Sequence, residues 1–472
     1  MAEQHPAAGP PFPVEPHAQA VLERLWDAGH AGWLVGGAVR DALLGRPTHD
    51  WDVATDALPE TILGLFPHGT YENRFGTVLA RGVEITTFRR DQHYPDHRRP
   101  AAVTFTDSLE EDLLRRDFTV NAIAWGRPAG GGAGSSGFAD PAGGRADLAA
   151  GILRAVGDPA LRFDEDALRL LRAARIAAAV GLAIDPGTHA AMAAHADDVR
   201  WVSGERIGIE LRRMLEAPEP SRAFRLLAET GLLRPTFPEL AAQIGVPQAK
   251  VPWRDCWDHT LAALDAAARA APGDELLLVT VLFHDAGKPA TMEGGHFHGH
   301  EVVGAVFAEE RLARLAWPRH EIRRVARAIR AHMFRYTPDW TDAAVRRFIR
   351  RTGPDILALV FALRRADDAG SGEAAPDPGL TELMARTAAQ IAAGMPLTTR
   401  DLAVDGHDLQ AALGREPGPW LGELMDRLLD AVTNDPTRNT AAQLIADARS
   451  WTSADAPTRD AGPAAGRGTL EE

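Results

Sequence analysis

The pattern of apolar residues changes once along this chain, near residue 160, and that change constrains the fold more than any other feature. From about 19 to 150, short β-rich runs (WLVGG, GTVLARGVEITTF, AAVTF, FTVNAIAW) alternate with helical stretches, as in a small α/β domain. Beyond 160, segments rich in Ala, Leu and Arg keep a helical period almost to the end, broken by Gly and Pro turns. The expected fold class is therefore α+β, a small α/β head followed by all-helical domains. At roughly 100–200 residues per domain, 472 residues suggest about three or four units, with no fixed-period repeat among them.

The two ends carry prolines or small polar residues and no apolar period, so residues 1–18 and 452–472 are expected to be disordered. GRPAGGGAGSSG, from Gly126 to Gly137, is expected as a flexible surface loop. A single cysteine, Cys256, excludes an intrachain disulfide framework. The N-terminus has no signal-peptide pattern, and the longest apolar runs, near 176–184 and 276–283, fall short of the ~20 residues of a membrane helix. A soluble, cytoplasmic protein with no membrane partner is expected.

The net charge of −14 argues against sequence-independent nucleic-acid binding over the whole surface. Charge is uneven, however. From Arg311 to Arg351 twelve arginines face three acids (Glu321, Asp339, Asp342), a balance of 12 − 3 = +9. Such a stretch either tracks a phosphate backbone or is a solvated helix face.

Residues 36–52 read GGAVRDALLGRPTHDWD. A strand over Trp33 to Val35 runs into Gly36-Gly37 and then into a helix beginning near Val39. Glycines let backbone approach a ligand, and the amides of a helix start favour phosphate oxygens. Asp50 and Asp52, two apart on an expected strand, would point the same way and form a carboxylate pair able to hold two Mg²⁺ ions. Alone, a D-x-D is usually an exposed polar face; the preceding GG-x-VRD shifts that balance.

This stretch resembles the signature of the class II tRNA nucleotidyltransferases and bacterial poly(A) polymerases of the polymerase-β superfamily, and the resemblance runs from about 30 to 235. It implies a polymerase-β-like head whose Asp50 and Asp52 bind Mg²⁺ and whose Gly36, Gly37 and Arg40 meet the nucleotide. RRDFTVNA resembles the family's second motif, implying nucleotide sugar and phosphate contacts for Arg115, Arg116, Asp117 and Asn121. Glu84, in VEITTF, is a candidate third catalytic carboxylate, or simply an edge-strand glutamate. Residues 84–100 match the flexible loop with which the family switches from C to A addition, which leaves full CCA addition and A-only addition open.

Residues 158–175, DPALRFDEDALRLLRAAR, carry Glu165-Asp166 and then Arg169, Arg172 and Arg175 on a helix that Asp164 could cap. On such a helix Asp166 and Arg169 are neighbours and the later arginines fan around it. An Asp beside an Arg can mimic the pairing edge of a base. The stretch resembles the family's E-D-x-x-R motif, in which amino acids select CTP and ATP without a template. The ordinary alternative is an ion pair worth about 0.2–0.5 kcal/mol. ERIGIELRRML (205–215) resembles the family's neck motif, and its apolar spacing predicts a structural role.

Farther on, His259, His284-Asp285, His300, His332 and Asp367 appear in the order H…HD…H…H…D. Imidazoles with one or two carboxylates suit a divalent transition metal. The order resembles that of HD-superfamily phosphohydrolases, implying His259, His284, Asp285 and Asp367 as primary ligands, with His300 and His332 for a second ion or a substrate phosphate. His296 and His298 are near alternatives to His300. Lys288 either meets a phosphate or is a helix-terminal charge, and Cys256 is expected to pack.

Together these readings divide the chain into a head (19–150), a helical neck (151–245), an HD domain (246–375) and a helical tail (376–451). They imply a tRNA nucleotidyltransferase using ATP and CTP, with tRNA as partner, a phosphatase or 2′,3′-cyclic phosphodiesterase activity in the HD domain, and an oligomeric state left open, a homodimer included. The alternatives are a poly(A) polymerase of the same superfamily and an HD phosphohydrolase with a nucleotide-sensing head.

Overall fold

The computed structural model describes residues 10–454 apart from 49, 74–75, 93–101, 249–254 and 373–376. Its described residues form two compact units. One takes in the chain up to His332 and the stretch that begins at Ala362; the other joins Met333–Phe361 to the helices from Pro378 onward. Residues 333–361, expected with the imidazole-bearing region, thus pack instead with the C-terminal helices.

The first unit opens on a mixed sheet. Its strands are β1 (Gly32–Val35), β2 (Asp52–Thr55), β3 (Thr70–Asn73), β4 (Thr77–Ala80), β5 (Val83–Thr87), β8 (Ala124–Arg127) and β9 (Gly137–Ala139), in the order β3-β4-β5-β2-β1-β8-β9. β6 (Arg89–Gln92) and β7 (Ala102–Phe105) form a separate ribbon. β2 and β5 run parallel and every other neighbour in the large sheet is antiparallel. All four residues of β1 are buried, which explains its unbroken apolar reading at the centre of the sheet. Trp33, Val35, Ala54, Phe88, Leu113 and Ala124 pack into one core beneath it.

The expected disordered leader is partly ordered. Phe12 is buried and stacks on Trp51 at 6.2 Å, with Trp125 and Phe138 as further neighbours, and a helix begins at Pro16. One aromatic residue recovers enough apolar burial to hold a proline-rich segment whose composition alone argues for disorder. The Gly-rich stretch at 126–137 closes the hairpin between β8 and β9. At the other end the last helix, Ala441–Ala454, runs into the segment expected to be disordered; residues 455–472 lie outside the described residues.

Among the described residues after β9 the named elements are helices, apart from the two-residue strands Ile152–Leu153 and Ala183–Ile184, which pair in parallel. The second unit has two apolar cores of its own, one around Phe348, Phe361 and Leu383 and one around Leu424, Leu428 and Leu444. No helix among the described residues is long and apolar enough to cross a membrane.

Candidate functional site

In the head the site follows from strand register. β1 ends at Val35, Gly36 turns with φ 80°, and a helix (Gly37–Leu43) starts at once, two residues earlier than expected. That φ suits glycine, and a Cβ at position 36 would lie 3.3 Å from Arg116 Nη1 and 3.5 Å from Asp52 Oδ2. The turn, the carboxylate and the arginine therefore meet at one point. Asp52 opens β2 and is the register partner of Glu84 on β5, so the two carboxylates stand side by side on one face. They line a cavity of about 240 Å³ with Thr77, Thr86, Arg115 and Arg116.

Two expectations change here. Asp50 precedes β2 and is exposed, so Asp50 and Asp52 do not alternate along one strand. Glu84 is not on an edge, because β5 lies between β4 and β2. The strand partner of Asp52 in space is Glu84, a pairing across strands that no local spacing displays. Burial pushes the Asp52 carboxyl up to about 6, with Glu84 and Asp50 adding to the rise and Arg116 opposing it.

The RRD stretch follows a helix, Leu109–Leu114, capped by Ser108. Buried Asp112 holds both arginines: Arg115 donates to it from Nε at 3.0 Å and Nη2 at 2.6 Å, and Arg116 from Nη2 at 3.2 Å. Asp112 is a positioning residue that the sequence reading missed; its i+3 and i+4 spacing to the two arginines is the signal that could have found it. Asp117 is buried and accepts from Asn121 Nδ2 at 3.0 Å and from Arg172 Nε and Nη2 at 2.8 and 2.5 Å. Asn121 in turn accepts from Arg40 Nη1 at 2.7 Å. Although burial pushes the Asp117 carboxyl up, Arg172 and Asn121 outweigh it and hold it well below the usual carboxylate range. Buried Arg40, Asn121 and Asp117, with partly buried Arg172, therefore form one polar chain tying the glycine turn to the following helical segment.

The stretch 158–175 is not one helix capped by Asp164. Asp158 caps a first helix, Pro159–Glu165; Asp166 is extended (φ −151°, ψ 102°); a second helix, Leu168–Val180, follows. The break turns the Asp166 carboxylate to the Leu168 amide (3.1 Å) and to Arg206 (Nη2 2.7 Å, Nη1 3.1 Å), so it is not paired with Arg169. Arg169 instead donates to Glu165 at 2.5 Å and to the carbonyls of Arg162 and Arg115. Through Arg115 it abuts the head cavity. Arg175 is turned to buried Glu210, at 2.6 Å. Arg206 and Glu210 belong to the helix Gly204–Leu215, read from sequence as packing only; it also supplies the partner of Asp166.

A second cluster lies among helix ends. His259 is in the first turn of Cys256–Ala270, His284 and Asp285 follow Glu275–Phe283, His300 starts His300–Arg314, His332 follows Arg319–Ala331, and Asp367 is in the last turn of Leu357–Gly370. A Cβ at Gly287 would lie 2.2 Å from the His300 carbonyl oxygen, so glycine is what lets that helix start close to Asp285. His259, His284 and Asp367 form one group whose ligand atoms lie within 4.8 Å of one another, and Asp285, His300 and His332 form another. Among the described residues these are the two such groups of three or more. His259 Nε2 lies 3.0 Å from Asp367 Oδ1 and 3.5 Å from Asp285 Oδ2, while His300 Nε2 lies 3.5 Å from Asp285 Oδ1.

The donor set fits a divalent transition metal. His284, His300 and His332 each turn Nδ1 to a backbone carbonyl (Val281, Phe297, Ile329), which leaves Nε2 facing inward. Nε2 of His259, His284 and His300 is buried and makes no hydrogen bond. Buried imidazole nitrogens that face carboxylates at 3.0–3.5 Å without hydrogen-bonding them are suited to share a cation with those carboxylates. Burial, with His284 adding to it, pushes His332 down to about 4, keeping it neutral as a ligand must be. Lys288 pairs with Asp285; burial raises that carboxyl, but His284 and Lys288 outweigh it and hold it well below its usual range. His296 and His298 are exposed and stack on each other, outside the cluster. Cys256 is buried, which pushes its thiol up to about 11 and suits packing rather than nucleophilic chemistry.

Comparison with known proteins agrees with the head geometry. Residues 32–154 match the Poly A polymerase head domain, 181–244 the RNA and SrmB-binding site of polymerase A, and 303–448 tRNA nucleotidyltransferase domain 2. A CCA-adding enzyme of Geobacillus stearothermophilus is 33% identical over 447 residues, covering 93% of this chain and 96% of that one. An A-adding tRNA nucleotidyltransferase of Deinococcus radiodurans is 34% identical over 421 residues, covering 84% and 90%. The crystal structure of the Bacillus stearothermophilus CCA-adding enzyme in complex with CTP superposes with a TM-score of 0.65 at 29% identity, covering 93% of this chain and all of that one.

Proposed function

Because the chain belongs to the class II tRNA nucleotidyltransferase family, we propose that it adds CCA to tRNA 3′ ends from CTP and ATP without a nucleic-acid template. The observation that carries this reading is the pairing of Asp52 with Glu84 in register, facing a cavity shared with Arg115 and Arg116 beside the Gly36 turn. Asp52 and Glu84, with the exposed Asp50 just before β2, would hold two Mg²⁺. Bound there, the ions would activate the attacking 3′-hydroxyl and steady the triphosphate. Arg115 and Arg116, fixed by Asp112, offer planar donor forks to phosphate oxygens. The backbone at Gly36-Gly37 gives the triphosphate room, and the Arg40–Asn121–Asp117–Arg172 chain keeps that turn in place.

Nucleotide choice is assigned to Asp166, whose tilt is set by Arg206, with Arg169 held nearby by Glu165. Asp166 can accept from an exocyclic amine, present on both cytosine and adenine and absent from uracil and from that edge of guanine. Relatedness to the A-adding enzyme supports a second reading, addition of the terminal A alone.

The imidazole cluster is assigned to an HD-type phosphohydrolase acting on phosphomonoesters or 2′,3′-cyclic phosphates. The metal would be held by His259, His284, Asp285 and Asp367, with His300 and His332 beside it, and would supply an activated water. A protein acting on tRNA would work in the cytoplasm. The deciding experiment offers tRNA ending before CCA, in C and in CC, each with CTP alone or ATP alone. CCA addition predicts CTP use on the first two and ATP use on the third; A-only addition predicts ATP use on the third and nothing else; no incorporation on any end refutes both.

A further inference from the structure

A cavity of about 560 Å³ lies within the second unit, in the ~300–1,000 Å³ range of small-molecule sites. The helix Asp342–Thr352, capped by Thr341, builds its floor. Ala344, Arg347, Phe348 and Arg351 fall at i, i+3, i+4 and i+7 and so share one face, with the small Ala344 leaving space between them. Trp340 forms a wall, and its ring is set by edge contacts to Tyr336 at 5.4 Å and Phe348 at 5.9 Å. Asp430, from the helix Pro419–Asn434, pairs with Arg350 at the rim.

Neighbouring Arg346 has a different task. It is buried and donates to the carbonyls of Thr433 and Asn434 at 2.7 and 2.9 Å, closing the end of the Pro419–Asn434 helix and fixing the cavity's two walls together. Arg347 and Arg351 are exposed, and among the described residues Arg351 has no ion-pair partner. The cavity therefore combines an aromatic wall, a surplus of guanidinium groups over carboxylates, and one Arg–Asp pair presenting a donor beside an acceptor. A solvated arginine face would need neither the aromatic wall nor the hollow.

We propose that this cavity binds a nucleoside monophosphate unit, its base stacked on Trp340 and its phosphate held by Arg347 and Arg351. Base–aromatic stacking contributes about 1–3 kcal/mol per base, and Arg forks suit phosphate oxygens. The Arg350–Asp430 pair meets the base edge. The same chemistry is offered by an unpaired nucleotide of an RNA chain and by a free nucleotide, and the site does not depend on what the head catalyses.

The test uses the full chain with EDTA present, so that metal-assisted nucleotide binding elsewhere is silent. A fluorescent unstructured oligoribonucleotide is followed by anisotropy, and AMP by equilibrium dialysis, for Trp340→Leu, Trp340→Phe and Arg351→Gln. The expected result is oligonucleotide affinity weakened about fivefold or more in Trp340→Leu and in Arg351→Gln, and restored in Trp340→Phe. The same pattern seen with AMP and not with the oligonucleotide supports the site with a free nucleotide as its occupant. Weakening in Arg351→Gln without weakening in Trp340→Leu reduces the feature to a phosphate-attracting surface and overturns the proposal. So does unchanged binding of both probes in all three variants.

Discussion

In the head, Asp52 and Glu84 stand together because β2 and β5 run parallel, whereas in the helical part of the same unit six ligand residues arrive from the ends of five helices. The first arrangement is half open, lines a cavity, and leaves its carboxylates repelling one another. The second is buried, with imidazoles held by backbone carbonyls and their Nε2 atoms already converging. One centre is completed by what it binds, the other is preorganised before anything binds. The difference follows from the reactions assigned: a polymerase site must admit two long substrates, while a hydrolytic site gains by fixing one ion and its water.

The sharpest way to break this comparison is to disable one centre and read both. His284→Ala should lower phosphohydrolase turnover by about 10³-fold or more and leave nucleotide incorporation unchanged. Loss of both activities, with the fold intact by circular dichroism, would mean the centres are coupled. Glu84→Gln should do the converse, cutting incorporation by roughly 10²-fold at constant phosphohydrolase activity. Full activity would place Glu84 among ordinary sheet residues.

Smaller effects sharpen the account of selection and of charge. Arg206→Ala, by freeing Asp166, should reduce discrimination of CTP and ATP against UTP and GTP about tenfold, measured as ratios of kcat/KM. An unchanged ratio would return Arg206 to the packing role its sequence suggests. In metal-free buffer, Asp52→Asn should stabilise the protein. The Asp52 carboxyl keeps its proton to about pH 6 in the native state and to about pH 4 when unfolded, so its ionisation costs the native state. That cost is absent below about pH 4, grows between the two values and is complete above about pH 6. Discounted for partial exposure, the gain should be about 1–2 kcal/mol at pH 7.5 and vanish at pH 4, read from Tm. A gain that persists at pH 4 would point to packing rather than charge.

What the sequence disclosed follows the same division. The head–helical partition and the glycine turn are local patterns, and the ordered histidines and aspartates lie on helices whose ends the apolar period marks. Their convergence was legible as well, since few other arrangements use so many imidazoles. Glu84 was legible as a candidate third carboxylate but equally as an edge-strand residue, because the parallel register that makes it the strand partner of Asp52 carries no periodic signal. Asp166 misled for a different reason. The i, i+3 spacing to Arg169 assumes a continuous helix, and the chain breaks at Asp166, where its side chain captures the Leu168 amide and meets Arg206 from another helix. Phe12 shows the limit of composition: one buried ring orders a segment that proline content marks as disordered.

The role of the head carboxylates is decided by incorporation of labelled CTP and ATP into tRNA lacking CCA by Asp52→Ala, with phosphohydrolase activity measured on the same preparation. Incorporation should disappear while hydrolysis and tRNA binding persist. Incorporation at the rate of the unaltered protein would contradict the assignment of the head carboxylates as the centre of nucleotidyl transfer.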